Sequence, residues 1–111
     1  MAESTGAYQE NLDYLVDYAK DDWVGFSPIV GAATSLVRSA YSRESATDMV
    51  LALISDLLDQ GVQAGDLTDS DEKPFVPWVL TKSEVLERIR ADMVALPELP
   101  DSGDICWFAI L

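Results

Sequence analysis

The chain has 111 residues, 49% of them hydrophobic, and its twenty acids and seven bases give a formal net charge of -13. A chain of this length buries roughly two-thirds of its unfolded surface in one core, so a single domain over residues 1–111 is expected. The charge argues against direct binding to nucleic acid or to an anionic membrane, because phosphate contacts need clustered Lys and Arg.

The spacing predicts a first helix over residues 6–21. Tyr8, Leu12, Leu15, Val16, Ala19 and Trp23 recur at three- and four-residue intervals and share one face. Opposite them, Glu10, Asp13, Asp17 and Asp21 fall in one narrow stripe. Asp13/Asp17 and Asp17/Asp21 are like-charge pairs one turn apart, each costing about 0.2–0.5 kcal/mol. A helix that needed only solubility would mix in lysine. Tyr14 lies in or beside the stripe and Tyr18 at its edge. Either they are aromatic anchors ringed by charges that choose a partner, or they pack under a neighbouring element and the acids are merely solvated.

A second helix is expected with Ser27 as N-cap and Pro28 at the first helical position, running through Ile29, Ala33, Leu36, Val37 and Ala40. The third, capped by Ser45 and closed by a left-handed Gly61, carries Ala46, Met49, Val50, Leu53, Ile54 and Leu57 on a face broad enough for a central position. Val62–Leu67 and Phe75–Leu80 read as a hairpin around the polar loop 68–73, with Pro74 and Pro77 confining its second strand to an edge. The fourth helix opens on a Thr81–Glu84 capping box and stops at Pro97. Ile105–Leu111 reads as a buried strand after the turn Asp101-Ser102-Gly103-Asp104, able to pair with the hairpin. The expected class is α+β, mostly helical, with about four helices packed on a small antiparallel sheet.

The chemistry is constrained by what is missing. Calcium loops place acids at alternate positions with a glycine at the sixth, and the spacing of Asp66, Asp69, Asp71 and Glu72 does not fit. With no histidine and one cysteine, neither a structural zinc site nor a Ser–His or Cys–His nucleophile can be built in a monomer. Cys106, between Ile105 and Trp107, reads as a small core residue, and Phe75, Trp78 and Trp107 as core aromatics rather than a ligand pocket. No enzymatic activity, metal or cofactor is expected. The first ten residues lack the features of a signal peptide and no apolar run spans a bilayer, so a cytoplasmic location is expected.

Gly61, Gly65-Asp66-Leu67, Phe75, Pro77-Trp78, Arg88-Ile89, Asp104-Ile105 and Trp107-Phe108 form a pattern over residues 45–109. In it the chain resembles a group of small, acidic, largely uncharacterised bacterial proteins, chiefly actinobacterial. In size and acidity it is loosely similar to immunity proteins of bacterial toxin systems. That likeness implies a role and assigns no residue.

The expected function is therefore stoichiometric inhibition of a basic protein partner, most concretely neutralisation of a cognate toxin. The expected contact surface is Glu10, Asp13, Tyr14, Asp17 and Asp21, with Asp66, Asp69, Asp71 and Glu72 second. The alternatives are a nucleic-acid mimic that blocks a DNA- or RNA-binding protein, a winged-helix-like regulator and a small enzyme.

Overall fold

A computed structural model describes residues 2–110 of the chain, with side chains from Gly6 onward. Four helices, α1 (Ala2–Asp21), α2 (Phe26–Val37), α3 (Arg43–Asp59) and α4 (Lys82–Ala95), accompany three short strands, β1 (Gln63–Leu67), β2 (Phe75–Pro77) and β3 (Trp107–Ala109). The sheet is antiparallel in the order β2-β1-β3, so the expected α+β class holds and the third strand joins the hairpin.

Helix α3 is central, as its broad apolar face implies. It packs against α1, α2, α4 and β1, and Val50, Leu53, Ile54 and Leu57 are buried. Its ends are closed by local hydrogen bonds. The N-cap is Ser42 rather than Ser45: Ser42 accepts from the Ser45 amide, and Ser45, three residues into the helix, reaches back to the Ser42 amide. The capping box therefore uses a serine where Glu or Gln is usual. At the other end Gly61 has φ of 93°, and Gly61 and Val62 donate to Leu58 and Leu57, which completes a Schellman stop. Helix α4 opens on the predicted Thr81–Glu84 box.

Helix α2 departs from expectation at both ends. Its N-cap is Gly25, which has no side chain to cap with, and the hydroxyl comes from a distant segment instead. Ser102 Oγ accepts from the Ser27 amide at 3.1 Å, and Ser27 Oγ accepts from the Ser102 amide at 3.1 Å. A Cβ on Gly25 would lie 2.2 Å from Ser102 Oγ, so glycine is what lets the two segments meet. This reciprocal pair pins the 101–104 turn to α2. Ser102→Ala should therefore cost about 1 kcal/mol, as loss of a helix cap does, readable as a lower urea midpoint. At the C-terminal end α2 stops at Val37, and Arg38–Ala40 tighten into a 3₁₀ turn that excludes Ala40 from the helix.

The strands are shorter than predicted. Val62 completes the helix stop, leaving β1 to begin at Gln63. Pro77 ends β2, and Val79 beyond it is 97% exposed. Strand β3 covers only Trp107–Ala109, and the Leu111 end of the predicted strand lies outside the described residues. The turn before it is as expected: Asp104 donates to the Asp101 carbonyl at 3.0 Å, and its carboxylate accepts from the Asp101 amide at 2.9 Å. Ile105 then adopts φ of 59°, a left-handed conformation unfavourable for a β-branched residue, while Cys106 donates to the Asp104 carbonyl at 2.6 Å. The tight turn swings Ile105 onto the core.

Val24 exchanges two 2.8 Å backbone bonds with Phe108, adding one residue of pairing outside β3. Phe26 and Phe108, both fully buried, meet edge to face with centroids 5.4 Å apart. The core is thus one cluster joining the helices to the sheet.

Candidate functional surfaces

Along α1, Leu12, Leu15 and Ala19 are buried, while Tyr8 and Val16 are partly buried against the same core. Tyr8 donates a short hydrogen bond to Asp56 on α3; burial, then that bond and the Asp56 charge, push its hydroxyl pKa up. This face fixes the helix, so the opposite stripe points outward. Glu10, Asp13, Asp17 and Asp21 are all exposed. Asp13 accepts from Gln9 at 2.8 Å and Asp17 pairs with Lys20 at 3.4 Å. The second pair is open to water and contributes at most about 1 kcal/mol.

Tyr14 is 57% exposed within this stripe. Tyr18 is half-buried and stands edge to face with it, centroids 6.0 Å apart. Tyr18 packs and Tyr14 is presented. The helical spacing predicts Trp23 on the buried face, but it is 39% exposed beside Asp21 and Asp22. The helix ends at Asp21, and Val24 takes the buried position through its pairing with Phe108. A helical repeat extended past the helix end therefore misplaces Trp23, and the exposed indole was missed.

The second expected patch divides. Asp69, Asp71 and Glu72 are exposed at the hairpin tip. The tip holds itself: Thr68 donates to the Pro74 carbonyl at 2.8 Å and through its hydroxyl to Lys73, Ser70 donates to the Thr68 hydroxyl, and Lys73 donates to Ser70 Oγ. None of those bonds uses the three carboxylates. Asp66 differs, because its carboxylate accepts from Trp78 Nε1 at 3.0 Å, while the Arg88 guanidinium lies 3.7 Å from the centre of the same indole ring. The Phe75 ring meanwhile covers Gly65. Five residues of the sequence pattern, Gly65, Asp66, Phe75, Trp78 and Arg88, thus converge on the sheet and hold it together. Phe75 is buried, whereas Trp78 and Trp107 are only half-buried.

The two acidic patches hang from different edges of the sheet. The loop 68–74 joins β1 to the edge strand β2, whereas α1 leads into Val24 beyond β3. A partner touching both would have to span the sheet.

Among the described residues no group of three or more His, Cys, Asp or Glu gathers as a metal site would require. Cys106 is buried, and its thiol pKa is raised by burial first, then by the Asp66 and Asp92 charges against a lowering by Arg88. A thiol so placed is a poor nucleophile. No helix of the described residues is long and apolar enough to cross a membrane.

One concave feature was invisible in the sequence. A groove of about 730 Å³ opens between α2, Tyr41 and the segment following α4. Arg43 forms part of its wall, with Nη1 donating to Pro97 at 2.7 Å and Nη2 to Met93 and Leu96 at 2.7 and 2.6 Å. Met93 and Leu96 belong to the end of α4 and Pro97 follows its C-cap, so Arg43, together with the Leu96 amide that also donates to Met93, ties down the end of α4 from the start of α3. Comparison of the chain with protein-family models, curated proteins and solved structures gave no match.

Proposed function

We propose that the protein is a stoichiometric binder that inhibits a basic protein partner, and that neutralisation of a cognate bacterial toxin within the cytoplasm is the concrete form of that role. The observation that carries this reading is the outer face of α1, where Tyr14 is exposed among Glu10, Asp13, Asp17 and Asp21, with Trp23 exposed just past the end of the helix. Tyr and Trp are the side chains most often dominant in protein interfaces, and surrounding charges select the partner and speed encounter. The hairpin-tip acids Asp69, Asp71 and Glu72 add to the attractive field from another edge of the molecule. Asp66 is a weaker contact candidate because it already holds Trp78.

Reversing two charges tests the surface. The double variant Asp17→Lys/Asp21→Lys should slow association with the partner by about tenfold at low salt, the lower end of the 10–10³-fold that a protein's summed field can supply. Stability should stay within about 0.5 kcal/mol of the parent, as exposed substitutions usually do. Unchanged stopped-flow association rates would remove α1 from the interface.

A nucleic-acid mimic is supported by one feature, the row of carboxylates repeating every turn, about 6 Å apart along the helix. It predicts competition with DNA or RNA for the partner, which a toxin blocker does not require unless its target is a nuclease. A winged-helix role is disfavoured because the tip of the hairpin carries three acids, which phosphate would repel.

A further inference from the structure

The groove beside Tyr41 has a chemistry of its own. Val30, Leu96, Leu99 and Pro100 give it an apolar lining, and Tyr41, 54% exposed, stands at one side. Glu98, Asp101 and Asp104 supply its carboxylates. Among the described residues none of these three lies within ion-pair distance of a cation, because the salt bridges formed are Lys20–Asp17, Lys82–Asp59 and Arg90–Asp48. Arg43, the one cation lining the groove, directs its donors to backbone carbonyls. The groove therefore has the carboxylates of Glu98 and Asp101 without a partner among the described residues, and that of Asp104 accepting from the Asp101 amide, against a single guanidinium whose hydrogen bonds are already made.

We infer that this groove receives an arginine or lysine side chain from an extended basic segment of a partner protein. A long cationic side chain is amphipathic, with a stem that covers apolar surface while its head seeks charge. The groove matches both ends, with aliphatic and proline side chains for the stem, carboxylates for the head and the Tyr41 ring for the face of a guanidinium. Its volume falls within the range of small-ligand sites, roughly 300–1,000 Å³. The surplus of carboxylate disfavours an anionic occupant.

The inference rests on the reading of the protein as a binder of basic partners, but it places a contact away from the α1 stripe. The test uses the full-length ¹⁵N-labelled protein at low salt. It is titrated with acetyl-Ala-Ala-Arg-Ala-Ala-amide and with the same peptide carrying norleucine in place of arginine. The arginine peptide should shift the amides of Gly31, Tyr41, Glu98, Leu99 and 101–104 saturably, and the norleucine peptide should not. Glu98→Gln/Asp101→Asn, at two exposed positions, should weaken the arginine peptide at least tenfold with the rest of the spectrum intact. Shifts centred on Asp13–Asp21 would overturn the groove yet leave the basic-partner reading standing. No shift, or equal shifts with norleucine, would overturn it as well. So would movement of the groove amides with protein concentration alone, which would assign the groove to a second copy of the chain. Groove binding without any basic partner in the cell would instead defeat the broader reading.

Discussion

Gly65→Ala should destabilise the protein by about 3 kcal/mol, at the upper end of what overpacking a well-filled site costs. Gly65 lies in the central strand and pairs with Pro77 on one side and Trp107 on the other. A Cβ there would meet the Val76 carbonyl oxygen at 2.4 Å, the Phe75 ring at 2.7 Å and Pro77 Cα at 2.8 Å. Two of those atoms are backbone, so relief requires β2 to move away from β1, which also disturbs the Asp66–Trp78–Arg88 contact. With a urea slope of about 1.5 kcal/mol/M, the midpoint would fall by about 2 M. Gly31→Ala is the control, because a Cβ at that exposed helical site meets nothing within 4 Å. It should stabilise by up to about 1 kcal/mol through helix propensity. Equal effects from the two substitutions would contradict the packing assigned to Gly65.

Arg43→Leu should cost about 2–3 kcal/mol. The substitution keeps the aliphatic bulk and removes a guanidinium that donates to Met93, Leu96 and Pro97. Hydrogen bonds from a charged donor contribute roughly 1.5–3 kcal/mol each, and the half-buried setting lets water recover part of the loss. Arg43→Lys should recover only a fraction, because an ammonium cannot fork across carbonyls as a planar guanidinium does. The local signature is faster amide exchange at Leu96, Glu98 and Leu99, the segment that walls the groove. Retained protection there would mean that α4 ends without help from Arg43.

Much of this fold is legible in the sequence because local chemistry and the tertiary structure agree. The Thr81–Glu84 box, Gly61 after α3 and the prolines around β2 each act through neighbours a few residues away. Reading fails where a distant residue supplies the deciding contact. Gly25 begins α2 without a side-chain cap of its own, and Ser102, 75 residues from Ser27, provides the hydroxyl. Trp23 turns outward because Val24 pairs with Phe108. The third strand is abbreviated after Asp104 and Ile105 make a tight turn that no periodicity encodes.

The candidate surface was legible in the same uneven way. The stripe on α1 follows from helical geometry, and its side chains are exposed as that geometry requires. Asp66 was grouped with the hairpin acids by sequence proximity, yet the hydrogen bond from Trp78 ties it to the sheet. The groove joins α2, Tyr41, Arg43 and the segment after α4, and no motif links those positions.

Inhibition of a basic partner through α1 is tested by capture of partners from a lysate of the organism that encodes the protein. Tagged parent protein and the Asp17→Lys/Asp21→Lys variant are compared at low and at high salt, with mass spectrometry as the readout. One basic protein should be recovered in stoichiometric amount by the parent at low salt, depleted at high salt and lost with the variant. Absence of any enriched basic protein, or equal recovery by the variant, would contradict inhibition through α1.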